Sequence, residues 1–116
     1  MAYDEELADR IRELLGGVRD VTEKKMFGGL AFLIHGNMAV AASGQGGLLV
    51  RVDPAQSDRL IATTSARPME MRGREMPGWL RVAADDVRTK RQLSRWVTLG
   101  RTAAEALPAK VAKRRA

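Results

Sequence analysis

The sequence predicts a two-layer α+β domain with an antiparallel sheet of about five or six strands flanked by helices. Three observations predict it. A chain of 116 residues is long enough for one domain. Apolar residues recur at helical spacing near both ends, and the middle is a series of short apolar runs separated by glycines. Antiparallel neighbours are favoured because parallel strands need long crossovers. We expect residues 1–109 to form this domain and residues 110–116 to form a basic, disordered tail.

Helices are predicted at three places. The first follows an acidic start, and one apolar face is formed by Leu7, Ile11, Leu14 and Leu15. The second opens at Asp53-Pro54, because aspartate caps free N–H groups and proline fits the first helical turn. The third and longest is expected to begin at Asp85 and Asp86 and to end before Pro108.

Strands occupy the middle of the chain. They are predicted at Thr22–Phe27, Leu30–Ile34, Met38–Ala42, Leu48–Val52 and Trp79–Val82. His35-Gly36-Asn37 indicates a tight turn, and Ser43–Gly47 a hairpin loop. Arg67-Pro68 starts an extended segment that carries Met69 and Met71 on one side. The Pro- and Gly-containing stretch Arg72–Gly78 is interpreted as a loop.

Large apolar side chains other than Leu, Val and Ile are few. Methionine fills irregular gaps in cores, and it also lines adaptable binding surfaces. We interpret these residues as core: Met26, Met38, Met69, Met71, Met76, Trp79 and Trp96.

Charge is distributed unevenly. The net charge is +6, and four basic residues lie in the last seven positions: Lys110, Lys113, Arg114 and Arg115. Without those four the chain holds 16 basic and 14 acidic residues, so residues 1–109 carry a net charge of only +2. A basic tail attracts polyanions. Together with Arg88, Arg91 and Arg95 on the last helix, it forms a candidate surface for weak, non-specific contact with nucleic acid.

The residues needed for catalysis or metal binding are scarce. The chain has no cysteine, and its single histidine, His35, lies in a predicted turn. The glycines of Gly44–Gly47 precede a strand, whereas a phosphate-binding loop precedes a helix. We therefore predict no catalytic residue, no metal, no cofactor and no enzymatic activity. The acidic start lacks the features of a secretory signal, and no run is long enough to span a membrane, so we expect a cytoplasmic protein without membrane contact.

Several blocks, taken in order, resemble the N-terminal domain of the TfoX/Sxy family. The blocks are Lys25–Met38, Gly47–Val52, Arg67–Val82, Trp96-Val97 and Leu107–Lys110. The resemblance implies an antiparallel sheet flanked by helices, similar to the secretion-chaperone-like fold. It also implies a role in bacterial transcription regulation, since the namesakes activate competence for DNA uptake with a cyclic-AMP-receptor-type transcription factor. Those regulators carry a second, C-terminal domain, so we expect this chain to be a stand-alone N-terminal domain whose competence role is open.

Three interpretations of function follow. The first is a non-enzymatic regulatory module that contacts a transcription-factor protein or nucleic acid. The second is a small-molecule domain or an unrecognised enzyme, with an anion-binding loop at Arg72 and Arg74, because neighbouring arginines can hold phosphate or carboxylate. The third is a homodimeric scaffold that pairs through a free sheet edge.

Overall fold

The structure is a computed structural model, and it describes residues 3–26 and 28–108. These residues form an α+β fold of six strands and three α-helices in two layers, which confirms the predicted fold class. In chain order the elements are α1 (Glu5–Leu14), β1 (Val21–Met26), β2 (Gly29–Ile34), β3 (Asn37–Ala42), β4 (Leu48–Arg51), α2 (Pro54–Thr63), β5 (Arg67–Met71), β6 (Arg74–Val82), a short 3-10 helix (Ala84–Val87) and α3 (Lys90–Glu105).

Each α-helix begins at a residue whose side chain accepts hydrogen bonds from the first free N–H groups. Asp4 caps α1 and Asp53 caps α2, as the sequence predicts. The expected start of the last helix is wrong, because α3 begins after Thr89. Thr89 and Gln92 each accept a hydrogen bond from the other's backbone N–H. The aspartates expected at this start, Asp85 and Asp86, lie instead in the preceding 3-10 helix.

The six strands form one antiparallel sheet in the order β1-β2-β3-β4-β6-β5. β2 and β3 are joined by the predicted tight turn, in which His35 and Gly36 both have positive φ, 53° and 81°. Asn37 begins β3 and is buried, and its amide donates a hydrogen bond of 3.0 Å to the backbone oxygen of Pro108.

The stretch Arg72–Gly78 is not the loop that its proline and glycines indicated. Arg72 and Gly73 form a two-residue turn with positive φ, 56° and 78°, and β6 starts at once with Arg74. Proline and glycine are tolerated in β6 because the pairing with β5 is interrupted there. Between the paired positions Pro68–Leu80 and Glu70–Glu75, β5 has one residue, Met69, and β6 has four, residues 76–79. These extra residues of β6 form an extended bulge.

The main core lies between the helices and one face of the sheet. Phe32, Val40 and Leu80 supply fully buried side chains from the sheet, and Ile11 and Trp96 cover them from α1 and α3. The predicted core role of Trp96 is confirmed. The helices α1, α2 and α3 all contribute to this one layer, so within the described residues the other face of the sheet carries no helix.

Candidate binding face of the sheet

A second apolar cluster lies on the sheet face that points away from the helices, called here the open face. Its buried members are Ala31, Ala41, Leu49 and Met69. Successive side chains of a strand point to opposite faces, so these residues alternate with core residues of the same strands. Half-buried side chains surround them: Met26, Leu33, Met38, Met71 and Trp79. The sheet is thus apolar on both sides, although described helices cover only one.

All five methionines after the initiator line a single depression on the open face. The depression has a volume of about 440 Å³ and is lined by Met26, Met38, Met69, Met71, Met76 and Trp79, among others. Only Met69 among the five is buried, with 8% of its surface exposed. Our placement of the methionines and Trp79 in the core is therefore wrong for every member of this group except Met69. The other four methionines and Trp79 are half-buried at a surface, the arrangement in which methionine forms adaptable binding sites.

A cation lies within this depression. The guanidinium carbon of Arg51 is 4.3 Å from the centre of the Trp79 ring, its partner on the adjacent strand. Nε of Arg51 donates a hydrogen bond of 2.7 Å to the backbone oxygen of Met38. Burial lowers the pKa of Arg51 below its ordinary value, but a guanidinium stays protonated in proteins. The depression therefore carries the positive charge of Arg51, which is held in place by the Trp79 ring and the Met38 backbone oxygen.

Further cations surround the apolar centre. Strand pairing places Arg67 directly opposite Arg81, on the same face as Met69. Lys24 lines the depression from β1. Arg74 is paired with Met71 and shares its face. Two of these side chains, Arg67 and Arg81, form a like-charged cross-strand pair, which is unfavourable unless an anion lies nearby.

The carboxylate side chains of the strands point away from the open face. Glu23 forms a bidentate pair with Arg12 of α1, on the helix-covered side. Glu70 and Glu75 are paired with each other and alternate with the open-face methionines. Over the described strands, the open face therefore combines five basic positions (Lys24, Arg51, Arg67, Arg74 and Arg81) with no acidic one. Its charge is far more one-sided than the domain's net +2.

The structure distributes the sequence-predicted site residues over two sides of the domain. Arg72 and Arg74 are exposed at the tip of the β5–β6 hairpin, and of the two only Arg74 belongs to the open face. Arg91 and Arg95 lie one turn apart on the exposed side of α3, on the helix layer. Arg88 forms an ion pair of 2.9 Å with Asp85. The four tail residues, Lys110, Lys113, Arg114 and Arg115, lie outside the described residues.

Outside the open face, the described acidic and histidine side chains do not assemble a metal site. No group of three or more His, Asp or Glu side chains with metal-binding spacing occurs in residues 3–26 and 28–108. Nδ1 of His35 lies 3.1 Å from a carboxylate oxygen of Asp20, which ties the β2–β3 turn to the segment before β1. The helices described here include none with the length and apolar character needed to cross a bilayer.

Comparison with known proteins gives one result. No curated protein and no solved structure matches the chain significantly. A family model described as the TfoX N-terminal domain, a regulatory domain related to competence, matches residues 13–104. That range begins within α1, contains the whole sheet and ends within α3. Because the match covers most of the chain and all six strands, the protein belongs to the TfoX N-terminal domain family.

Proposed function

We propose that this domain is a non-enzymatic regulatory module that acts by binding a partner macromolecule through the open face of its sheet. The observation that carries the proposal is the methionine-lined depression on that face. Apolar surface of this kind, bordered by charge, is typical of interaction sites. The family match supports a regulatory role. The specific role we propose is transcription regulation in the cytoplasm through a transcription-factor protein.

The test is capture of partners from the native cell by the full chain, with nuclease present. The informative variant is Met71→Glu, which places a charge in the depression at a half-buried position. The matched control is Thr98→Glu on the exposed side of α3. We expect a partner that is retained by the wild type and by the control and is lost by the Met71 variant. A set of partners that is unchanged by Met71→Glu would contradict binding through the open face.

Nucleic acid is a second candidate partner, supported by the exposed helical pair Arg91 and Arg95. Phosphate contacts by these residues and by the basic tail would be non-specific and salt-sensitive. Each neutralised phosphate adds about 0.9 to the salt slope, so the four tail charges add about 4 at most. A titration of the full chain and of a chain ending at residue 109 with duplex DNA decides this candidate. Equal binding by the two chains would exclude a role for the tail.

A further inference from the structure

We infer that the open face binds a short acidic segment of a protein partner, one that presents large apolar side chains flanked by Asp or Glu. This inference rests on the proposed function and names the chemistry of the partner. It follows from two properties that coincide on the same surface. The centre of the face is apolar, with methionines lining its depression, and every charged side chain that the strands place around it is basic.

The dimensions of the face suit such a segment. Lys24 lies on the first strand of the sheet and Arg67 on the last, with four strands between them. Neighbouring strands are spaced by about 4.8 Å, which separates these two cations by roughly 24 Å across the sheet. A helix with side chains is about 10–12 Å wide, so it fits between them. The apolar side chains of the segment would enter the depression while its carboxylates meet the cations on both sides.

The methionines and the cations of the open face would contribute differently to binding. The unbranched methionine side chains adapt to whichever apolar residues enter, so they supply affinity without demanding one sequence. The cations select against basic partners, because like charges brought together at an interface are costly. The directly opposed Arg67 and Arg81 would benefit as well, since a carboxylate bound near them offsets the like charge of the pair.

Other occupants fit the face less well. A second copy docked by a two-fold axis would bring the same five cations against one another. The chain's own residues 110–116 are basic and therefore have the wrong charge. Single-stranded nucleic acid requires aromatic platforms for its bases. Among the described residues that line the depression, Trp79 is the one aromatic residue, and Arg51 already lies against its ring.

The test uses the full chain and three synthetic peptides of equal length. In the first, pairs of leucine alternate with pairs of glutamate; in the second, lysine replaces glutamate; in the third, serine replaces leucine. Binding is followed by peptide fluorescence anisotropy and by the methyl resonances of 13C-labelled methionine. We expect the first peptide alone to bind and to shift the five methionine methyl signals of the depression together. Equal binding of the lysine peptide, or shifts confined to residues away from the depression, would overturn the inference.

Variants of the chain locate the contact. Met71→Ser is expected to weaken binding of the acidic peptide about tenfold, because it removes an apolar anchor. Lys24→Gln and Arg67→Gln are each expected to weaken it about two- to fivefold, with a shallower salt dependence. Arg91→Gln makes the same charge change on α3 and should leave the affinity unchanged. An equal loss in Arg91→Gln would show that net charge, rather than the open face, drives binding.

Three further results separate the failure of this inference from the failure of the proposed function. If no peptide binds but capture from cells still depends on Met71, the open face is a binding site and the acidic class is wrong. If a single-stranded oligonucleotide binds and shifts the same methionine signals, the partner is a nucleic acid and the inference is likewise wrong. If capture does not depend on Met71, the proposed function itself fails.

Discussion

The two faces of the sheet are both apolar, yet they are built from different residues. The helix-covered face carries large side chains with fixed shapes, such as Phe32, Val40 and Leu80, each with no measurable exposure. The open face carries alanines at its centre and flexible methionines around them. Close packing of rigid side chains gives a single well-ordered core, whereas methionine tolerates a change of neighbours. The helix-covered face therefore stabilises the fold, and the open face is the surface for which we propose binding.

The largest effect on stability is expected from truncation beneath the helices. Phe32→Ala should lower the free energy of unfolding by about 3–5 kcal/mol, because it leaves a cavity in the core. The matched control is the next residue, Leu33, which is half-buried on the open face. Leu33→Ala should cost about 1 kcal/mol, a typical value for a point substitution outside the core. Urea unfolding measures both, and equal losses would mean that the two faces contribute alike.

A smaller loss is expected where α3 approaches the sheet. A Cβ at Gly100 would lie 2.5 Å from the backbone oxygen of Ala39 and 2.7 Å from Cγ1 of Val40. Gly100→Val should therefore push the helix layer away from β3 and cost about 1–3 kcal/mol. Thr102→Val, at an exposed position of the same helix, is the control and should change little. Thermal unfolding of both variants measures the difference, and an unchanged Gly100 variant would contradict the close approach.

On the open face the expected change is in binding rather than in stability. The dye anilinonaphthalene sulfonate combines apolar rings with a negative charge, so the folded protein should bind it in the depression. Met38→Glu should reduce the dye fluorescence severalfold while the melting temperature stays nearly constant, because Met38 is only half-buried. Dye fluorescence that is insensitive to this substitution would show that the dye binds elsewhere.

The smallest effect is expected at the ion pair between α1 and β1. The hydrogen-bonded guanidinium of Arg12 lowers the pKa of Glu23. A carboxyl whose pKa is lowered by folding stabilises the protein above the unfolded pKa and loses this contribution as pH falls through the folded pKa. The melting temperatures of wild type and Glu23→Gln should differ slightly near about pH 7 and converge near about pH 3. A difference that grows in acid would have the wrong sign for this pair.

Local patterns predicted most of the fold. The apolar spacing in α1 and the Asp53-Pro54 start of α2 describe interactions within a few residues, and the structure confirms them. The first half of β6 is not predictable from local patterns, because Pro77 and Gly78 are typical of loops and the bulge that accommodates them depends on pairing with β5. The predicted start of α3 is too early because Asp85 and Asp86, which lie in the 3-10 helix, also suit a helix start.

The open face could not be assembled from the sequence. Its cations lie far apart in the chain, at positions 24, 51, 67, 74 and 81, and only the strand order brings them to one surface. The continuous apolar run Leu30–Ile34 does indicate a strand that is apolar on both faces. Periodicity does not say whether a second layer covers the other face. The two-residue spacing of Lys24 from Met26 and of Leu49 from Arg51, which puts a cation and an apolar residue on one face of a strand, is the signal that the sequence carries.

The opposed arginines of β5 and β6 have a consequence for the lifetime of the protein. Arg67 and Arg81 are directly opposed in the folded chain, and like charges at opposed strand positions are unfavourable. A ligand that binds only the folded form stabilises it by mass action, by about 2.7 kcal/mol at a hundredfold excess over its Kd. Occupied molecules would thus spend less time unfolded and exposed to proteases than empty ones. With the binding that we propose for the open face, degradation of the protein in the cell would slow as the supply of its partner rises.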